Sequence, residues 1–253
     1  MEHDIRIERE RCVGCGQCAR SCGTGFLRMG ADGPETGGRI RCIGCGHCVA
    51  ACPRQAVRLD GKGPVSAPES AWERTAMLRR SVRKYKQECP PLALIERALN
   101  LAAWAPSGKN RHVNRWSVVY GRDRCRAVEE TALAYCRRTG DSPELLALEE
   151  RGIHLLTGGA PVVIIGWSPD NALNPCVDTV LALYTAELLL EEQGLGCCWG
   201  GYLRQITGRC PELKELLGIP EGCSLQCCMM TGYPDRESYP NIPPRPKAEV
   251  YMV

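Results

Sequence analysis

The residues best placed to do chemistry in this 253-residue chain are its cysteines, eighteen in all, eight of which fall into one spacing used twice. The first set is Cys12-x2-Cys15-x2-Cys18-x3-Cys22, and the second is Cys42-x2-Cys45-x2-Cys48-x3-Cys52-Pro53. Three thiolates at two-residue gaps can occupy three corners of a single iron–sulfur cube, while the fourth cysteine of each run points away and ligates the other cube. The spacing therefore predicts one [4Fe–4S] cluster on Cys12, Cys15, Cys18 and Cys52, and a second on Cys42, Cys45, Cys48 and Cys22. Zinc also takes four thiolates, but zinc modules use separated CxxC pairs and not a CxxCxxC triplet.

Composition frames this reading. The N-terminus, MEHDIRIERE, is charged and lacks the apolar stretch of a signal peptide, and no apolar run reaches the length of a membrane span. Reduced thiols in a cytoplasmic protein are therefore expected, not a disulfide framework. The net charge is only +3. Residues 1–62 hold ten Lys/Arg against seven Asp/Glu, whereas residues 63–253 hold twenty-two of each. Two clusters with their thiolates add negative charge to the basic segment, so the excess says little for nucleic acid. Neither a nucleic-acid partner nor a membrane is expected.

Residues 4–60 resemble a bacterial two-[4Fe–4S] ferredoxin. One departure is Gly23, which follows the fourth cysteine of the first run where proline is usual. His47, inside the second triplet, reads either as a donor that tunes a cluster or as a solvent-facing side chain, and the second reading is preferred.

The elements that must carry the remaining chemistry follow a Pro/Gly-rich linker, Gly61-Lys-Gly-Pro-Val-Ser-Ala-Pro68. The chain thus divides into residues 1–62, a linker over 63–74 and a larger domain over 75–253. Ser70-Ala-Trp-Glu73 reads as a capping box. Pro91 opens a helix with Leu92, Ile95, Leu99 and Ala102 on one face, stopped by Pro106 and Gly108. Strands are expected at 116–120, 162–165 and 224–231, and helices at 123–139, 142–156, 174–193 and 211–217. The tail 233–247 is rich in proline and should be extended. Helices with recurring strands make the second domain α+β or α/β. No GxGxxG and no GxxxxGK[ST] occurs, so Rossmann and P-loop sites are unsupported.

Four segments in this domain recur in order: Arg79-Arg-Ser-Val-Arg-Lys-Tyr-Lys86, Ala105-Pro-Ser-Gly-Lys-Asn110, Gly194-Leu-Gly-Cys-Cys-Trp-Gly-Gly201 and Pro244-Arg-Pro-Lys247. The basic run alone reads as a solvated surface. Together the four resemble the nitroreductase family from about residue 75 to the C-terminus. The resemblance implies an α+β sandwich, a homodimer and bound FMN. It implies Arg79 and Ser81 on the FMN phosphate, in keeping with the bidentate fit of arginine to phosphate. It implies Arg83 and Asn110 at the pyrimidine edge, Ser107 in the turn near the cofactor and Gly200 and Gly201 where backbone approaches the ring. Arg245 would reach the phosphate, with Lys247 a weaker candidate, and Arg80 and Lys84 would lie on the surface. Cys197, Cys198, Cys223, Cys227 and Cys228 read as small apolar packing residues. His112 and His154 have no partner at ligand or triad spacing, and no catalytic side chain is assigned.

The whole chain resembles a ferredoxin–nitroreductase fusion. Electrons from a low-potential one-electron donor such as reduced ferredoxin would pass through two clusters to FMN and on to an organic acceptor such as a nitroaromatic or quinone. The rivals are a non-catalytic electron carrier and a specialised flavin dehydrogenase or dehalogenase on the same scaffold.

Overall fold

A computed structural model describes residues 2–38, 40–235 and 239–253. The chain separates into two compact units: Met1–Leu78 together with Glu237–Val253, and Arg79–Arg236. The linker region and the C-terminal tail thus belong to the first unit. The last three residues of the tail before Tyr239 lie outside the described residues.

The first unit repeats one design. β1 (Ile5–Ile7) runs into the first cysteine loop and α1 (Gln17–Arg20), then the hairpin β2 (Arg28–Gly30) and β3 (Gly33–Glu35). The second cysteine loop leads into α2 (His47–Ala51) and β4 (Val57–Leu59), which pairs antiparallel with β1. Each short helix starts from a left-handed glycine, Gly16 (φ 72°) or Gly46 (φ 73°), a conformation that side-chain-bearing residues avoid. Its core is small and is built partly from cysteines: Ile5, Leu27, Val49, Val57 and Leu59 pack with Cys18, Cys48 and Cys52. α3 (Ala71–Leu78) begins where Ser70 Oγ accepts from the Glu73 N–H (3.3 Å), as the capping box requires.

The second unit is an α+β sandwich. In chain order it contains α4 (Leu92–Leu101), β5 (Arg115–Tyr120), α5 (Arg122–Thr139), α6 (Pro143–Glu149), β6 (Val162–Pro169), α7 (Pro175–Glu192), β7 (Gly196–Trp199), α8 (Gly201–Thr207), α9 (Pro211–Leu216) and β8 (Cys223–Gly232). One antiparallel sheet has the order β5-β6-β8-β7. Alternate residues of its central strands feed two cores, as a pleated strand must. Val163, Ile165, Cys198, Cys228 and Met230 face α5, α6, α8 and α9. Val162, Ile164, Cys197, Cys227 and Met229 face α4 and α7.

Two sequence expectations change. The helix expected to reach 156 stops at Glu149, because the chain turns through left-handed Gly152 (φ 72°). The Gly194–Gly201 segment is not all turn: residues 196–199 form edge strand β7, followed by α8. Both elements are short and buried on their inner side, so neither leaves a periodicity to read.

Candidate functional site

Two cavities mark the first unit. One is lined by Cys12, Cys15, Cys18 and Cys52. The other is lined by Cys42, Cys45, Cys48 and Cys22. Each thus draws three cysteines from one loop and the fourth from the other. Backbone N–H groups point at the crossing sulfurs: Leu27 N–H donates to Cys22 Sγ (3.3 Å) and Ala56 N–H to Cys52 Sγ (3.2 Å). Burial pushes the Cys18 thiol up to about 11 and the Cys48 thiol up as well. Without metal these thiols keep their protons at neutral pH, and iron must displace them on loading. Four thiolate sulfurs, apolar walls and N–H donors to sulfur are the chemistry an iron–sulfur cube needs.

His47 departs from the solvent-facing reading. It is buried, because the Tyr239 ring of the returning tail packs edge-on against it at 5.5 Å.

In the second unit, the basic run enters beside β7. Ser81 bridges Cys197 in parallel, and Val82 N–H donates to Cys197 O (2.8 Å). Arg79 is not an exposed cation waiting for an anion. Its Nη1 donates to Glu187 Oε1 (3.0 Å), and Trp199 Nε1 donates to Glu187 Oε2 (2.8 Å). Glu187 has no solvent exposure, so this pair fixes the run near the C-terminal end of α7. Arg80, expected on the surface, is buried: its Nη1 donates to Arg79 O, and it lies near Glu191, whose carboxyl it helps keep charged. Burial outweighs that help and raises Glu191 to about 7. Lys84 is exposed. Arg83 is exposed as well, with Nη1 on Ser81 O (3.3 Å).

The loop carrying Ser107 and Asn110 is pinned to the other end of α7. Gly108 N–H donates to both oxygens of buried Asp178 (3.0 and 3.1 Å). Ser107 Oγ accepts from the His112 N–H (3.0 Å), and Asn110 Oδ1 lies 2.7 Å from His112 Nε2. Lys109, Asn110 and His112 all hold positive φ (53°, 55° and 45°), an uncommon state for residues with side chains. Asp178 and Glu187 are nine residues apart, about 13.5 Å along the helix at 1.5 Å per residue.

The glycines at the end of β7 differ. A Cβ on Gly200 would lie 2.7 Å from Cys228 Sγ, so this position is dictated by inward packing. A Cβ on Gly201 would meet nothing within 4 Å, and Gly201 is exposed. Gly201 is therefore the one with open space over its backbone. The neighbouring thiols of Cys197, Cys198, Cys227 and Cys228 are all pushed up by burial. Buried protonated thiols are inert packing groups. His154, without a partner at sequence level, sits 2.8 Å from Glu149.

Arg245 belongs to the first unit, where Nη1 donates to Cys45 O (3.1 Å) and Gly44 O (3.4 Å). The tail thus turns back onto the second cysteine loop. Lys247 follows in the same exposed tail. The residues that sequence reasoning passed over are Asp178, Glu187 and Asn241. Asp178 and Glu187, carboxylates inside the mostly apolar stretch 177–190 of α7, were the available signal.

Comparison with known proteins agrees with this architecture. The nitroreductase family model matches residues 76–233, and a 4Fe-4S dicluster domain model matches residues 6–57. Iodotyrosine deiodinase of Nematostella vectensis is 28% identical over 199 residues, covering 69% of this chain and 72% of that protein. NADH dehydrogenase of Thermus thermophilus is 28% identical over 190 residues, covering 66% of this chain and 88% of that protein. The solved nitroreductase with bound FMN from Desulfitobacterium hafniense DCB-2 aligns with a TM-score of 0.61 at 26% identity, over 74% of this chain and all of that one. With its second unit matched almost end to end, the chain belongs to the nitroreductase family and is an oxidoreductase. Its N-terminal unit is ferredoxin-like.

Proposed function

We propose that this chain is an iron–sulfur flavoprotein that passes electrons from a low-potential one-electron donor, through two [4Fe–4S] clusters, to FMN and then to an organic acceptor such as a nitroaromatic or quinone. The observation that carries this reading is the pair of cavities, each lined by three cysteines of one loop and one of the other, on the same chain as a nitroreductase-family domain. When bound, the clusters supply one-electron steps and FMN couples these to two-electron chemistry. The chain's own residues bind and orient. Cys12, Cys15, Cys18 and Cys52 would hold one cluster, and Cys42, Cys45, Cys48 and Cys22 the other.

For FMN, Arg79 and Ser81 would face the phosphate and Arg83 the pyrimidine edge, where a cation favours the charge gained on reduction. Asn110 would hydrogen-bond that ring edge, with Ser107 holding its loop. Gly201 would let backbone approach the ring, with Gly200 fixing the turn by packing on Cys228. The loop at Asp178 and the ion pair at Glu187 hold these two groups at separate points along one rigid helix, which suits an elongated ligand.

A homodimer is part of the proposal. α7 exposes Val177, Leu181 and Tyr184 at helical spacing, and Leu173 and Trp104 (82% exposed) add to the apolar surface of the unit. A second copy of the chain would cover them. Reductive dehalogenation is the second reading, favoured by the likeness to an iodotyrosine deiodinase.

The test is anaerobic purification with iron, sulfide and flavin analysis, followed by stopped-flow flavin reduction by a one-electron donor. Cys22→Ser and Cys52→Ser each touch a different cluster. Both should keep FMN and slow its reduction at least tenfold. Wild-type rates in both variants would refute the electron path.

A further inference from the structure

The two cysteine loops are related by a constant offset of thirty residues: Cys12 and Cys42, Cys15 and Cys45, Cys18 and Cys48, Cys22 and Cys52. Their backbones follow suit, with Gly14 and Gly44 at φ 67° and 64°. In the first loop, Arg20 Nη2 donates to the carbonyl of Cys15 at 2.8 Å. The position thirty residues on is Ala50, which has no donor and is fully buried. The matching carbonyl, that of Cys45, nevertheless receives a guanidinium. It comes from Arg245, two hundred residues away, at 3.1 Å, with Gly44 O at 3.4 Å.

We infer that Arg245 stands in for the missing local arginine of the second loop, and that the C-terminal segment 239–245 thereby sets the reduction potential of the cluster held there. The inference rests on cluster binding but not on the identity of the acceptor or on flavin chemistry.

The segment is built to hold Arg245 in place. The Asn241 side-chain amide donates to Cys52 O (2.7 Å), Val49 O and Ala50 O (both 3.4 Å), at the carbonyl end of α2. Its Oδ1 accepts from Gln55 Nε2 (3.1 Å), and its backbone N–H donates to Ala50 O (3.3 Å). Asn241 is 8% exposed, so these bonds are shielded from water. Ile242 O accepts from the Val65 N–H (2.8 Å). Pro243 lies on Gly46 so closely that a Cβ at Gly46 would stand 2.7 Å from the proline Cβ. Ala50 is fully buried and its carbonyl is bonded by Asn241, so an exposed local arginine has no place at position 50.

Reduction adds one negative charge to a cluster. A fixed guanidinium on the ligand loop favours the reduced form, because charge and hydrogen bonding around the sulfurs tune cluster potentials. Arg20 does this for the first loop from within the loop. Arg245 does it for the second from beyond the end of the nitroreductase domain.

The test is an EPR-monitored redox titration of the anaerobically purified holoprotein. Arg245→Gln should lower one of the two cluster potentials by about a tenfold change in the one-electron equilibrium, about 59 mV, and leave the other where it was. Arg20→Gln should lower the other. Arg245→Lys should restore most of the first loss. Two unchanged potentials in Arg245→Gln, or a fall in the same potential as in Arg20→Gln, would overturn the inference. If Arg245→Gln purifies without one cluster, Arg245→Lys decides: recovery of the cluster at its wild-type potential supports the assignment, and continued loss overturns it. Absent flavin or absent turnover in the wild type would count against the proposed function alone, since the titration reads neither.

Discussion

The two units of this chain reach order by opposite routes. The second buries Ile95, Leu145, Ile164, Ile165, Leu183, Leu190, Leu203, Ile206 and Leu213 almost completely, on both faces of one sheet. The first buries few large side chains, and Cys18, Cys48 and Cys52 form part of its core. With so few large side chains buried, this unit is expected to lean on a staple such as bound metal. One unit therefore holds itself together by apolar burial, while the other builds its candidate cluster ligands into its core.

Iron removal should expose that contrast most strongly. Anaerobic chelation is expected to unfold the first unit and leave the second folded. Limited proteolysis with mass spectrometry would then show cleavage throughout residues 2–78 and a protected fragment starting near Arg79. Equal protection of both units in the apoprotein would break the comparison and would mean that the first unit stands on its small core and its C-terminal strap.

The same contrast explains what could be read from sequence. Cluster ligation is written in short gaps, because four sulfurs must meet one small cube, so cysteine spacing carries the information locally. The sandwich was legible in the β-branched run 162–165 and the long apolar helix from Pro175. What stayed hidden depends on distant partners. Arg80 stands in a run of five basic residues, and nothing nearby says that it will be buried next to Glu191. His47 looks like a surface residue until Tyr239 arrives from 192 positions away. Arg245 sits in a proline-rich tail whose docking on α2 depends on Asn241, an ordinary residue by type.

Within the second unit, arginines of the basic run differ in the same way. Arg79→Ala removes the ion-pair partner of a fully buried carboxylate and should cost about 3–5 kcal/mol of stability, because Glu187 then keeps only the Trp199 Nε1 donor. It should also weaken FMN retention. Arg83 is exposed and bonded only to a backbone oxygen among the contacts described. Arg83→Ala should therefore weaken FMN with a change in stability under about 0.5 kcal/mol. Urea unfolding of the flavin-free variants separates the two. Equal stability losses would show that Arg79 is no more structural than Arg83.

A pH dependence centred on Glu191 is also expected, and its sign is fixed by burial. The carboxyl lies between α7 and the β7 edge, where it accepts the Cys197 N–H (3.3 Å) and has Glu187, Arg79 and Arg80 as its charged neighbours. Burial outweighs the two arginines and raises its pKa from 4.5 to about 7. Between those values the folded protein holds a proton that the unfolded chain has released. Stability from this group is complete below about 4.5 and is lost as pH rises towards 7. The full loss is on the order of 3 kcal/mol, from a shift of between two and three pH units. Glu191→Gln keeps the acceptor for Cys197 and cannot ionise. The stability of this variant relative to wild type, from urea midpoints at several pH values, should therefore climb between pH 4.5 and 7 and level off above. A difference that stays flat across that window would mean that Glu191 is ionised in the folded protein, held so by Arg79 and Arg80, and that the basic run is spent on two buried carboxylates where the geometry now gives it one.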